Sequence, residues 1–230
     1  MKKETSWQDV GEWYHRLVDE EGSYYHKEVI LPKLLSLFHF DNKSALLDIG
    51  CGQGVLERAL PYELPYCGVD LSSTLIKKAK AMATSFHHQF LVADATKPLS
   101  LSRKFSHACI ILALQNMSKP QDVLQNISIH MEMEGKLFLV LNHPCFRMLK
   151  HSSWGVDQNV QYRRLDRYLS SYQVDIPAHP SRRDSPKTKS FHFSLSTMCH
   201  FLKESGFVIT DMTELCSNKK SYGKMARAEN

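Results

Sequence analysis

One short stretch constrains the fold of this chain more than any other: LLDIGCGQGVL, residues 46–56. An apolar run there ends in Asp48, and glycine then occupies every second position, at Gly50, Gly52 and Gly54. Glycine has no Cβ, so a turn of this composition lets the backbone approach a ligand closely. The stretch therefore predicts a strand that enters a helix through a ligand-binding turn.

The spacing of these glycines disfavours two common nucleotide-binding loops. The dinucleotide fingerprint G-x-G-x-x-G requires a glycine where Val55 stands. The phosphate-binding P-loop requires a Gly-Lys-Ser/Thr sequence, and none follows here. An oxidoreductase thus stays a minor alternative, which bound NAD in the purified protein would revive.

Downstream of residue 44, short apolar runs alternate with segments of helical periodicity, an order that is typical of a parallel sheet. The sequence predicts six strands: Ala45–Ile49, Tyr66–Val69, Gln89–Ala93, Phe105–Ala113, Lys136–Leu141 and Phe207–Thr213. Helices are predicted from the glycine turn to Pro61, from Leu75 to Ala83, from Pro120 onward, and from Leu195 to Ser205, where Gly206 ends the last one. We expect an α/β fold with a doubly wound, mostly parallel sheet and helices on both faces.

Length and composition limit the classes of protein. The chain has 230 residues, of which 43% are hydrophobic, enough for one sizeable core. Its net charge of +5 is too small for the basic surface that nucleic-acid binding usually needs. No apolar run approaches the ~20 residues of a membrane span, so we expect a cytoplasmic protein. The six cysteines include no C-x-x-C pair, so neither a disulfide framework nor a metal site is expected.

Two further acids stand at the ends of predicted strands. Asp70 ends the second strand in CGVDLS, and Asp94 follows the third in LVADAT. An acid at the position of Asp70 can accept hydrogen bonds from both hydroxyls of a ribose; the alternative is an aspartate that caps the next helix. Asp94 taken alone fits a turn. With Asp48, however, all three acids lie on one rim of the sheet, which is where open α/β sheets bind ligands.

The stretch Asp48–Gly54 resembles the first motif of the class I S-adenosylmethionine-dependent methyltransferases, Asp/Glu-x-Gly-x-Gly-x-Gly, and the resemblance extends over about residues 44–142. It implies S-adenosylmethionine as cofactor, with the backbone of the glycine loop in contact with the methionine part. Asp48 would fix the amino group of the cofactor or orient the loop. Asp70 would bind the ribose, and Asp94 and the Ala95 backbone would bind the adenine. In LALQNM, the residues Leu112 to Gln115 would flank the sulfonium, although Gln115 fits a solvated turn equally well. The implied contacts in this part of the chain are Asp48, Gly50, Cys51, Gly52, Gly54, Asp70, Leu71, Asp94, Ala95, Leu112 and Gln115.

The aromatic N-terminal segment EWYHRLVDEEGSYYH resembles the lid of small-molecule methyltransferases related to quinone biosynthesis, the type 11 group. Tyr14 and His26 are the implied cofactor or substrate contacts, and an aromatic core stripe is the alternative. The resemblance thus favours a small methyl acceptor, aromatic or quinone-like. It also divides a single domain into a lid (1–43), a cofactor-binding core (44–142), a substrate cover (143–193) and a final helix, strand and polar tail (194–230).

Catalysis of methyl transfer depends on alignment and a water-poor cavity, and some acceptors also need a base. His143, just past the fifth strand, and His192 in SFHFS are the candidate bases; a histidine that is hydrogen-bonded within a loop is the alternative for each. In residues 160–179, tyrosines alternate with Arg163, Arg164 and Arg167. This composition predicts either a binding segment for an anionic or aromatic acceptor or, equally, a solvated helix or loop.

Three questions stay open at the level of sequence. A tRNA or rRNA methyltransferase and a non-catalytic cofactor-binding scaffold are the alternative functions. The resemblance implies a seventh, antiparallel strand between the fifth and the sixth, but the polar sequence after Thr213 predicts none. We therefore expect that strand to be missing or atypical, or to come from the tail or a partner. An open slot beside the sixth strand would favour association, and the oligomeric state stays open.

Overall fold

The computed structural model describes residues 22–146, 150–177 and 187–217. Its centre is a parallel sheet of five strands in the order β3-β2-β1-β4-β5. These strands are β1 (Leu46–Ile49), β2 (Tyr66–Asp70), β3 (His88–Val92), β4 (Phe105–Ile111) and β5 (Met131–Val140). The helices are α1 (Leu31–Leu37), which a π-helical turn (Tyr25–Ile30) precedes, α2 (Ser73–Ala81), α3 (Pro120–His130) and α4 (Leu195–Glu204).

Helices cover both faces of the sheet, as the sequence predicts. Successive residues of a strand point to opposite faces, so Leu46 packs in one core layer and Leu47 in the other, each fully buried. The layer around Leu46 contains the apolar sides of α1 and α2, and the layer around Leu47 contains those of α3 and α4. The predicted α/β architecture is thus confirmed, with a parallel sheet that contains five of the six predicted strands. Within the described ranges, no helix combines the length and the apolar character needed to cross a membrane.

Two predicted elements are wrong. The helix after the glycine turn is only a 3₁₀ turn, Glu57–Ala59, because Gly54 has a left-handed φ of 79° and Pro61 disfavours helical geometry at the residue before it. Residues 207–213 are not a strand. The segment 207–217, here called the strap, has no regular secondary structure and pairs with no strand of the described sheet, in which β5 pairs only with β4.

The segment predicted as a substrate cover, residues 143–193, contains two antiparallel hairpins. One is formed by β6 (Ser152–Asp157) and β7 (Val160–Leu165), the other by β8 (Tyr172–Pro177) and β9 (Lys187–His192). The tight turn between β6 and β7 has positive φ at Gln158 and Asn159, 45° and 64°, which matches a two-residue type I′ hairpin. The helix considered for residues 160–179 is therefore wrong, since β7 and all of β8 lie within this range and a turn connects them.

Candidate functional site

A cavity of about 2450 Å³ opens at the carboxyl ends of the parallel strands. The residue directly after each of the five strands lines it: Gly50, Leu71, Ala93, Leu112 and Leu141. The volume exceeds the roughly 300–1,000 Å³ of a small-molecule site because the cavity continues along the outer edge of β5 to the strap.

Most of the predicted site residues meet in this cavity. Those that line it are His26, Gly50, Gly52, Asp70, Leu71, Asp94, Ala95, Leu112, Gln115 and His143. Asp48, Cys51, Gly54 and His192 are not among its lining residues, and Tyr14 lies outside the described residues. The topology therefore brings together residues from six separate parts of the sequence.

The glycine turn is held tightly against its neighbours. The Gly50 N–H donates to the Val69 carbonyl at 2.7 Å, and φ at Gly50 is 73°. A Cβ added to Gly50 would lie 2.4 Å from the Cβ of Ala113, so this position admits no larger residue without movement. Gly54 faces the core instead, where an added Cβ would lie 3.2 Å from the ring of Phe90. The turn thus exposes backbone to the cavity at Gly50 and packs on the core at Gly54.

Asp48 is buried beneath the turn, with 2% of its surface exposed. Its Oδ2 accepts a hydrogen bond from the Tyr66 hydroxyl at 2.8 Å. Burial raises the pKa of Asp48 to about 7; the Tyr66 hydrogen bond opposes this rise, and the nearby charge of Asp70 adds to it. This carboxyl group therefore supports the turn from behind, which fits the orienting role among the two roles that the sequence leaves open.

Asp70 lies on the open side of the same turn and lines the cavity. Its Oδ2 accepts from the Gly52 N–H at 3.0 Å and its Oδ1 from the Ser72 N–H at 2.8 Å. Burial raises the pKa of Asp70, and these two backbone hydrogen bonds oppose the rise. A carboxylate oxygen can accept more than one hydrogen bond, so both oxygens keep capacity for a ligand's hydroxyl groups. The bond to Gly52 also links the second strand to the glycine turn.

The loop after β3 carries Asp94 and Ala95. Asp94 Oδ1 accepts from the backbone N–H and the hydroxyl of Thr96, at 2.9 and 2.7 Å, so this acid does form the turn that the sequence allows. Asn126 of α3 donates through its Nδ2 to the carbonyls of Ala95 and Lys97, both at 2.8 Å. The sequence does not single out Asn126, because it is distant from the loop along the chain and belongs to no motif.

The turn after β4 carries the next two predicted contacts. Leu112 has a left-handed φ of 51°, and its carbonyl accepts from Gln115 Nε2 at 2.9 Å. Gln115 Oε1 is buried and accepts no hydrogen bond from any described protein atom. The Gln115 carbonyl accepts from the Ser190 hydroxyl of β9 at 3.3 Å, which connects the second hairpin to the end of β4. Gln115 is therefore part of the cavity wall and not a solvated turn residue.

His26 enters the cavity from the π-helical turn. Its Nδ1 lies 2.9 Å from the Ser23 hydroxyl, and burial lowers the pKa of His26. An added Cβ on Gly22 would lie 2.8 Å from both the His26 Cβ and a methyl group of Val55, so the start of this segment packs on the residue that follows the glycine turn.

The two candidate bases both have protein partners. His143 Nδ1 accepts from the Cys145 N–H at 3.1 Å, so its Nε2 carries the proton and donates to Glu214 of the strap at 2.6 Å. His192 is buried; its Nε2 donates to the Tyr168 carbonyl at 2.8 Å, and its ring stacks on Tyr172 with 4.7 Å between centroids. A role as base for either histidine stays a prediction, and each would first have to exchange one of these bonds.

The first hairpin contributes a polar cluster that the sequence identifies only in part. Trp154 and Arg163 are directly opposite each other in the β6–β7 pair, and both line the cavity. The Arg163 guanidinium carbon lies 5.1 Å from the centroid of the Trp154 ring, and its Nη2 donates to the Ser152 hydroxyl at 2.6 Å. Arg164 is on the opposite face, paired with Asp166. The two arginines are adjacent in the sequence, and their positions along β7 place their side chains on opposite faces of the hairpin.

Comparisons with known proteins agree with this geometry. The sequence profile of a family described as methyltransferase domain matches residues 23–211. An S-adenosylmethionine-dependent methyltransferase from Mesorhizobium loti superposes with a TM-score of 0.63 at 21% identity, over 78% of this chain and 81% of that one. One from Clostridium acetobutylicum superposes with a TM-score of 0.61 at 18% identity, over 95% and 94%. The glycopeptide N-methyltransferase MtfA, solved with S-adenosylmethionine, gives 0.52 at 14% identity, over 76% and 79%. No curated protein is significantly similar in sequence.

Proposed function

Because the chain belongs to the methyltransferase domain family, we propose that it transfers the methyl group of S-adenosylmethionine to a small acceptor with an aromatic or quinone-like body. The observation that carries this proposal is the meeting of the glycine turn, Asp70 and Asp94 on one cavity wall, in the order in which they occur along the chain. MtfA, a structural neighbour, was solved with the same methyl donor.

The residues of the cavity fit such a cofactor. S-adenosylmethionine supplies an electrophilic methyl group on a positively charged sulfur. Gly50 and Gly52 offer the cavity a surface without side chains, and Asp70 has oxygens oriented by two backbone N–H groups and capacity for the ribose hydroxyls. The buried Oε1 of Gln115 is an acceptor without a described protein donor, which supports a polar ligand beside the end of β4.

The chain's own residues would act mainly by binding and orienting. Asp70 and the loop at Asp94 and Ala95 would fix the nucleoside, and the glycine turn and Gln115 the methionine part. Alignment of two reactants contributes up to roughly 7–11 kcal/mol in favourable cases, so no strong acid is required. His26 from one side and the strap from the other border the cavity, where they would keep water from the reacting groups. His143 and His192 stay the candidate bases for an acceptor that must lose a proton.

Calorimetry with S-adenosylhomocysteine tests this proposal. We expect the unmodified protein to bind it and Asp70→Ala to weaken binding at least tenfold, because the ribose loses a charge-assisted acceptor. Asp122→Ala is the matched control: it removes an aspartate of α3 whose partner is the surface residue Lys119, and should leave the affinity unchanged. Absence of binding to the unmodified protein, or equal affinity of Asp70→Ala, would overturn the site assignment.

A further inference from the structure

We infer that Arg163, Trp154 and Ser152 form a subsite for a carboxylate on the methyl acceptor, so that the substrate class is a planar, apolar acid. This inference rests on the proposed function, since it names the acceptor of the same cavity. The three residues are called the hairpin cluster below.

The register of the first hairpin places the hairpin cluster on one face. Trp154 is paired with Arg163 across the strands, and Ser152 is two residues before Trp154 on the same strand, so all three side chains share a face. Trp154 and Arg163 both line the cavity that contains the glycine turn. The neighbouring Arg164 points the other way, where 66% of its side chain is exposed.

The Arg163 guanidinium is fixed in place by neutral groups. The Ser152 hydroxyl accepts from Nη2 at 2.6 Å, and the Trp154 ring lies beneath the guanidinium. No described carboxylate lies within ion-pair distance of Arg163, whereas Arg164 pairs with Asp166 at 2.9 Å. The Nε–H of Arg163 is buried and donates to no described protein atom. Its Nη1 group also donates to no described protein atom, so the terminal nitrogens of this cavity-lining arginine are suited to bidentate binding of a carboxylate.

The rest of the cavity near the hairpins suits an apolar, planar body. Ile176 of β8 and Leu195 and Met198 of α4 line it, and the polar groups among them are the hydroxyls of Thr188 and Ser190. A carboxylate bound at Arg163 would leave the apolar body of the acceptor among these side chains. Arg163 lies on the hairpin, whereas Asp70 and Asp94, the acids assigned to the cofactor, lie at the ends of β2 and β3.

A pair of probes that differ only in charge tests the inference. We would measure binding of 2-naphthoate and of the neutral 2-naphthamide by calorimetry, in the presence of saturating S-adenosylhomocysteine. The unmodified protein should bind 2-naphthoate at least tenfold more tightly than the amide, since both charged oxygens of the carboxylate can accept from the guanidinium, whereas the amide offers one neutral acceptor. Arg163→Gln should abolish the difference, and Arg163→Lys should keep part of it. Arg164→Gln is the matched control and should keep all of it.

Each result distinguishes this inference from the proposed function. If the unmodified protein binds the two probes equally, or binds neither, the carboxylate subsite is overturned; this comparison needs no variant to fold. If Arg163→Gln weakens S-adenosylhomocysteine binding tenfold or more, the arginine belongs to the cofactor's site and the inference is also overturned. Failure of S-adenosylhomocysteine to bind the unmodified protein instead contradicts the proposed function itself.

Discussion

At the residue scale, two carboxyl groups at the ends of neighbouring strands have different surroundings. Asp48 is sealed beneath the glycine turn with one hydroxyl partner, and Asp70 lies in the cavity wall with two backbone N–H partners. Burial raises the pKa of both, most clearly for Asp48. The same residue type therefore supports the turn in one place and lines the cavity in the other.

Asp48 should make the stability of the protein depend on pH. Its pKa of about 7 in the folded state lies above the unfolded value of ~3.9, so the folded chain retains a proton that the unfolded chain releases. The free energy of unfolding should therefore fall as pH rises from ~4 to ~7, by on the order of 4 kcal/mol from this group. Asp48→Asn should remove that part of the slope in denaturant titrations across this range.

The exposed Asp157 provides the control for that titration, because Asp157→Asn removes a carboxyl group of the surface hairpin. The free energy of unfolding of Asp157→Asn should change with pH as that of the unmodified protein does. An Asp48→Asn variant with the unmodified slope would show that the buried carboxyl group titrates normally.

Gly50 should tolerate no side chain. An alanine there must adopt a φ of 73° and places its Cβ 2.4 Å from the Ala113 Cβ, so Gly50→Ala should lower the free energy of unfolding by about 2–4 kcal/mol. Ala113→Gly in the same chain relieves the steric contact and leaves the dihedral strain. Chemical denaturation of the two single variants and the double variant should therefore show partial recovery. Purely additive effects would contradict a direct contact between the two positions.

At the scale of elements, α3 supports a loop that it does not contain. Asn126 reaches from this helix to the carbonyls of Ala95 and Lys97 in the loop after β3. A hydrogen bond of this kind contributes about 1 kcal/mol, so two of them can hold the loop in one conformation. The loop that would contact adenine is thus positioned by a helix that follows the next strand.

Asn126→Ala should weaken S-adenosylhomocysteine binding roughly five- to thirtyfold by freeing this loop, with α3 intact by circular dichroism. Gln125→Ala changes an exposed neighbour on the same helix and should leave the dissociation constant as it is. Calorimetry on the two variants makes the comparison. Equal affinities would mean that the loop keeps its conformation without the asparagine.

At the scale of the whole molecule, the strap joins distant parts of the chain across the cavity. Glu214 accepts from His143 after β5, and the Ser217 hydroxyl donates to the Tyr24 hydroxyl beside the π-helical turn, at 3.3 Å. The strap has no strand partner among the described residues, so these side-chain contacts carry much of its attachment. Exposed Val208 and Met212 show how little of its surface is buried.

Glu214→Gln should therefore speed limited proteolysis within residues 207–217 while changing the melting temperature little, because 71% of the Glu214 side chain is exposed. Glu204→Gln at the end of α4 removes the same charge from an exposed position and serves as the control. Equal rates of cleavage in the strap of both variants would mean that other contacts hold it.

Local signals in the sequence predict the parallel sheet and most of the cavity wall at its carboxyl edge: apolar runs, glycines with special dihedrals, and acids at strand ends. The sequence did not predict the structure of the strap or of the two hairpins. Residues 207–213 have strand-like composition, but a strand needs a paired neighbour, and pairing is a tertiary property. Likewise, only the register of β6 and β7 decided that Arg163 faces the cavity and Arg164 the surface. Side-chain direction alternates along a strand, so adjacent arginines of equal chemistry take different roles once the fold fixes which face is inside.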